Sequence, residues 1–279
     1  MGSRSIPPSK LTQPAARMTC ALNFQMKHMS IKVTSLMNLP LSITPCPIAQ
    51  AVVEVRFDTE APEEAVFGLV YHALKTDFPK SSPMPMASLP TEFRKSDPNL
   101  VHQPLHRLVG EHLTVLVGAQ AVAVGIRGAY PGWATAAEHF RATFARIADT
   151  GLIGKPRRFG LRYISFFAGD ILPKLTLSVT IADNPISGAG THFKTVLQSD
   201  GCQLLLQVGK DLKLVGEEQK TGSVIDIDSF VTEPEVDGGF NAALAGFLEK
   251  AHLAEKQLFF RLLKTEFLDT LSPTYADAD

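Results

Sequence analysis

Between Lys174 and Phe230, four runs of strand-type residues follow one another at short turns: Lys174 to Ile181, Phe193 to Gln198, Cys202 to Val208 and Ser223 to Phe230. Asn-Pro, Asp-Gly and Lys-Thr-Gly punctuate them, and these are turn-forming sequences. A parallel neighbour needs a crossover of about a dozen residues or more, so these runs pair antiparallel. A long terminal helix follows, in which Phe240, Leu244, Phe247, Leu248, Leu258, Phe259, Leu262, Leu263 and Phe267 keep helical spacing up to Leu271-Ser-Pro.

The first half reads as strand, helix, hairpin, helix, strand. Ala51 to Phe57 is rich in β-branched residues. Asp58 or Thr59 caps a helix carrying Val66, Val70 and Leu74 as far as Pro79, with Glu63 and Glu64 near its positive end. Five prolines between residues 79 and 98 make a long loop. Leu113 to Val117 and Ala121 to Val124 flank a hairpin turn. Tyr130-Pro-Gly-Trp133 opens a helix with Phe140, Phe144 and Ile147 on one side, closed by Gly151. Phe159 to Phe167 is an aromatic-rich strand. The expected architecture is therefore α+β, with helices over one face of a mainly antiparallel sheet. It is organised as residues 45–170 and 171–279, as one continuous sheet or two half-domains.

The formal net charge is −1, from 27 Lys plus Arg against 28 Asp plus Glu. Five of those cations, Arg4, Lys10, Arg17, Lys27 and Lys32, lie in residues 1 to 53, where there is no acid; this leaves 22 against 28 from Glu54 onward, a charge of −6. Such a balance excludes a globally basic nucleic-acid binder. Residues 1–44 are expected to be a disordered or non-native extension, with Met37 the expected true start. Cys20, Cys46 and Cys202 fit no disulfide framework or zinc spacing, which suggests a reduced, cytoplasmic setting. The apolar stretch Leu113 to Ile126 is too short to span a bilayer as a helix, so no membrane association is expected.

Familiar catalytic signatures are missing: there is no phosphate-binding G-x-x-x-x-G-K-[ST], no G-x-S-x-G and no H-E-x-x-H. His102 and His106 have an i, i+4 spacing, but Pro104 between them argues for loop histidines. The densest cationic stretch is Lys155-Pro-Arg157-Arg158-Phe-Gly-Leu-Arg162. Side chains alternate along a strand, so Arg158, Arg162 and Phe166 share one face, and so do Asp226 and Asp228 in Ile225-Asp-Ile-Asp228. An Arg and Asp ladder is the structural reading of this pattern. The functional reading is an anion site, or a metal or acid/base pair with Glu54 or His252 as a distant partner. Spacing puts His252 on the apolar side of the terminal helix, as a hydrogen-bonded core histidine. Trp133 and Tyr130 read as packing anchors, and Cys202 as core.

The strand Arg158-Phe-Gly-Leu-Arg-Tyr-Ile-Ser165, together with Tyr130-Pro-Gly-Trp133, Ile225-Asp-Ile-Asp228 and His252 with Phe259, resembles a sporadically distributed bacterial family of uncharacterised proteins. Its members show an E-x-x-F-like first strand, matched by Glu54 to Phe57, a G-L-R-Y-I-N segment and a C-terminal helix. Ser165 stands where the family usually has Asn. The resemblance spans residues 45 to 271 and implies no activity, cofactor or substrate; patchy distribution suits mobile-element or phage-defence cargo. It picks out Glu54, Arg158, Arg162, Tyr163, Asp226, Asp228 and His252 as a set, expected to lie together as a polar network or a ligand cleft.

The expectation is a non-enzymatic binding or accessory protein that recognises a protein partner or an anionic ligand, with no cofactor and no metal. Two alternatives stay open. One is an enzyme using Asp226 and Asp228 with Arg158 and Arg162 on an anionic substrate. The other is nucleic-acid binding through residues 155–162.

Overall fold

The computed structural model describes residues 39–186, 190–199, 201–214 and 220–276. Of the extension expected over residues 1–44, residues 1–38, with the expected start at Met37, lie outside them; of the rest, Leu41 donates its backbone N–H to the Thr274 carbonyl and Ile43 is buried. In chain order the elements are β1 (Ile48–Phe57), α1 (Glu63–Leu74), β2 (Lys80–Pro83), α2 (Thr91–Ser96), β3 (His106–Val109), β4 (Leu113–Val117), β5 (Ala121–Ile126), α3 (Trp133–Ala148) and β6 (Pro156–Ala168). Then come β7 (Thr180–Ile181), β8 (Asn184–Pro185), β9 (His192–Ser199), β10 (Cys202–Leu214), β11 (Lys220–Thr232), α4 (Phe240–Leu262) and α5 (Thr265–Asp269).

Nine strands form one sheet in the order β2, β3, β4, β5, β1, β6, β11, β10, β9, and neighbours pair antiparallel throughout. The α+β class and antiparallel sheet expected from the turns are what the chain adopts. β6 pairs with β1 on one side and β11 on the other, so hydrogen bonding runs unbroken across Asp170.

Alternation along the central strands decides which side the helices cover. Ala51, Val53, Val55 and Phe57 of β1 are buried, and so are Phe159, Leu161 and Tyr163 of β6. They meet Val66, Val70 and Leu74 of α1, Phe140, Phe144 and Ile147 of α3, and Leu244, Phe247 and Leu248 of α4 in one apolar cluster. A second cluster joins Leu204, Leu206, Val208, Ile225 and Ile227 to Ala254, Leu258, Phe259 and Leu262 at the far end of α4. Each fully buried large apolar side chain contributes roughly 1.5–3 kcal/mol. Among the described residues no α-helix packs on the opposite face of β1, β6 and β11.

Four local expectations need correction. The first helix is capped at Pro62, not at Asp58 or Thr59, and it ends at Leu74 rather than near Pro79. The proline-rich stretch is not a featureless loop: it contains β2, a 3-10 turn at Pro85–Ser88 and α2, tied down by the Arg94 to Glu63 ion pair at 2.5 Å. The strand expected over Lys174 to Ile181 shrinks to Thr180–Ile181, because Leu172–Lys174 forms a 3-10 turn and buried Leu175 bridges to Leu263. That bridge also breaks the terminal helix, with Lys264 donating its backbone N–H to the Lys174 carbonyl. Two helices, α4 and α5, replace one.

Candidate functional site

On the uncovered face, β1, β6, β11 and β10 bring their polar residues together. Glu54 lies opposite Gly160 on β6, and its carboxylate accepts hydrogen bonds from Arg56 Nε at 2.7 Å and Arg158 Nη1 at 3.0 Å. Arg158 Nη2 also donates to Asp228 at 2.7 Å, and its guanidinium sits 4.8 Å over the Phe230 ring. Arg162 grips Asp226 with two bonds, 2.8 and 2.6 Å, and Gln207 Nε2 donates a third to the same carboxylate at 3.0 Å. Paired, charge-assisted bonds of this kind are among the stronger polar contacts in proteins.

Gly160 makes this layout possible. A Cβ at that position would run into the Arg158 guanidinium, whose carbon lies 2.9 Å from where it would sit. The arginine therefore lies flat along the strand, over the glycine. Electrostatics follow the geometry. Burial holds the Asp228 carboxyl above its usual range in spite of Arg158, whereas the hydrogen bonds that Arg162 donates to Asp226 raise Arg162. His102, on the loop before β3, is held below the ordinary imidazole range by burial and then by the Arg56 charge, with Glu54 opposing.

The neighbouring cations are paired as well. Arg157 binds Asp58 and Glu233, and Lys155 binds Glu233 at 2.7 Å. Every cation of the stretch 155–162 thus has a carboxylate partner.

The seven residues expected together do not form one cluster. Tyr163 follows Arg162 directly, so it points to the opposite, helix-covered face, where it meets His252 of α4. Tyr163 Oη lies 3.1 Å from Tyr130 Oη and 3.4 Å from His252 Nδ1. Trp133 stacks on the His252 ring, with centroids 4.1 Å apart and planes within 9°. Its indole N–H donates to Glu249, which also binds Arg141 at 3.2 Å. These contacts dock α3 and α4 on the sheet. Glu255, three residues after His252, is buried with no hydrogen-bond partner among the described residues.

Burial dominates the ionisation of this inner group. Glu255 is pushed up to about 8 and Tyr130 to about 12, while His252 is brought down to about 4, with Lys256 adding to the effect. Tyr163 is raised well above its ordinary value. Near neutral pH the cluster is therefore almost entirely uncharged, as a low-dielectric interior demands. Tyr163 is 2% exposed, so solvent does not reach its hydroxyl freely.

His106 opens β3 rather than lying in a loop, and stacks on Phe67 at 4.0 Å. Among the described residues no group of three His, Cys, Asp or Glu is arranged to hold a metal, and no helix is long and apolar enough to cross a membrane. Cys202 is buried, as its apolar run implies. Sequence reasoning missed Arg56, Gln207 and Glu255. Arg56 follows Glu54 by two on a strand and Glu255 follows His252 by three on a helix, so both were within reach of periodicity. Gln207 carried no such signal.

No family model and no curated protein sequence matches the chain. Among solved structures, a similarity covering 80% of this chain and 99% of the other is found to the di-domain ARO/CYC StfQ from the steffimycin biosynthetic pathway, at 9% identity and a TM-score of 0.20. A likeness at that score carries no inference about this chain's fold or function.

Proposed function

We propose that the chain is a non-enzymatic binding or accessory protein that recognises an anionic ligand on a rigid α+β body. One observation carries the reading: the carboxylates best placed for metal or acid/base chemistry, Asp226 and Asp228, are held by the guanidinium groups of Arg162 and Arg158. Each guanidinium offsets the charge that would draw a hard cation, and Asp226 already accepts three hydrogen bonds, which leaves little of its carboxylate for a metal or a substrate proton. The same pairing weighs against strong nucleic-acid binding through residues 155–162, since each cation there already has a partner within the protein. A bacterial mobile-element or defence setting forms part of the proposal; it is supported by the resemblance carried by Arg158 to Ser165, not by geometry.

The test is turnover by purified protein of nucleotide, nucleic-acid and phosphoester substrates, with and without Mg²⁺ or Mn²⁺. The reading expects none above the buffer rate. Turnover that Asp226→Ala abolishes, in a variant still folded by circular dichroism, would overturn it in favour of an enzyme acting through the two aspartates.

A further inference from the structure

A cleft of about 730 Å³ opens far from the Arg and Asp ladder, between the end of α1, the β3–β4 turn and the outer side of α3. Four stretches of the chain meet there, residues 76–80, residues 109–113, Arg127 and one side of α3. Gly110 packs against the first of them so closely that a Cβ would lie 2.8 Å from the Asp77 carbonyl oxygen. Phe78 and Leu113, both buried, give the cleft an apolar floor.

Its rim is cationic. Lys80, Arg127 and Arg146 line it against Asp77 and Glu111, an excess of one positive charge before the histidines are counted. Their pairing is uneven. Arg146 is committed to the protein: it forms an ion pair with Asp77 and donates to the Ala73 carbonyl at 2.6 Å, locking α3 to α1. Among the described residues exposed Lys80 and Arg127 have no carboxylate partner, and the one hydrogen bond of the Arg127 side chain is to the Glu111 carbonyl at 3.4 Å. The Glu111 side chain is 87% exposed, with its carboxylate 3.7 Å from His112 Nε2. His112 and His139 lie with ring centroids 6.0 Å apart and nearly parallel. Neither ring hydrogen-bonds to the described residues, and His139 leaves a buried Nδ1 unpartnered. Two exposed cations without carboxylate partners, set beside a cleft with an apolar floor, form an arrangement that an anionic ligand completes.

We propose that this cleft binds a small organic dianion, an aromatic or otherwise apolar body resting on Phe78 and Leu113 with a phosphate-ester headgroup held between Lys80 and Arg127. Two unpaired cations match a phosphate monoester, which carries nearly two negative charges at neutral pH, better than they match a single carboxylate. The proposal rests on the reading of the chain as an anion-binding protein and gives that reading its site.

Isothermal titration of the full chain with phenyl phosphate, benzoate, inorganic phosphate and phenol tests it. Phenyl phosphate is expected to bind at least tenfold more tightly than any of the other three. The Lys80→Ala and Arg127→Ala double variant, altered only at exposed positions, is expected to lose at least tenfold in affinity with its melting temperature unchanged. Ala142→Trp, which fills the cleft wall, is expected to do the same. Absence of phenyl phosphate binding, equal affinity for phenol or benzoate, or unchanged binding in both variants would overturn the site. The last of these leaves the anion-binding reading intact, with its site elsewhere. Release of phenol from bound phenyl phosphate overturns the non-enzymatic reading but leaves the cleft as the place of binding.

Discussion

Arg158 lies directly opposite Thr232 in the β6–β11 register, yet its guanidinium binds Asp228, four residues along β11 and opposite Arg162. It spans that distance by lying over Gly160, with Glu54 on one side and the Phe230 ring on the other. A bare backbone position thus lets one arginine join three strands, and the uncovered face of the central sheet is closed by ion pairs instead of helices.

Gly160→Ala is expected to push Arg158 off this path and to destabilise the protein by roughly 1–3 kcal/mol, the range for a displaced buried polar group. Chemical denaturation measures it. In an Arg158→Ala background the same glycine change should cost much less, because nothing lies over the new methyl group. Equal costs in the two backgrounds would show that Gly160 serves the backbone and not the arginine.

The Arg162 and Asp226 pair is asymmetric, with the arginine side chain 46% exposed and the aspartate side chain 9%. Removing the aspartate returns a guanidinium to water, whereas removing the arginine strands a buried carboxylate with Gln207 as its remaining partner. Arg162→Ala is therefore expected to lower the unfolding midpoint more than Asp226→Ala does, since an uncompensated buried charge is the costlier defect. The reverse order would mean that Asp226 is better hydrated than its burial indicates.

His252 and Glu255 give stability a distinctive dependence on pH. The folded Glu255 value of about 8 lies above its ordinary 4.5, so its contribution is whole below pH 4.5 and is lost as pH rises through about 8. The folded His252 value of about 4 lies below its ordinary 6.5, so its contribution is present above pH 6.5 and is lost as pH falls through about 4. Between 4.5 and 6.5 the two slopes oppose and cancel. Glu255→Gln should turn that plateau into a rise and abolish the decline between 6.5 and 8. Melting temperatures measured across this range decide the matter, and a variant curve parallel to the parent's would contradict the burial of a neutral Glu255.

Period-two alternation made much of this legible. It put Arg158 with Arg162 and Asp226 with Asp228, and the short turns required antiparallel pairing. The same rule placed Tyr163 on the other side of the strand from Arg158 and Arg162, so parity alone separated it from them. Other features were not written locally. Lys264 and Thr265 are compatible with a continuing helix, and it is Leu175, far back in the chain, that draws Leu263 into an extended bridge. The path of Arg158 depends on strand register, which spacing does not fix. The cleft of Lys80, Arg127 and His139 comes from four segments with no shared pattern.

The claim that the central carboxylates hold the sheet together rather than perform chemistry is tested most directly by a double-mutant cycle on Arg158 and Asp228, whose side chains are 12% and 17% exposed. Unfolding free energies of Arg158→Ala, Asp228→Ala and the double variant are expected to yield a coupling of about 2 kcal/mol, within the range for residues that share one network. Single-variant effects that add to within about 0.5 kcal/mol would contradict it, because contacting partners in a load-sharing pair cannot be independent.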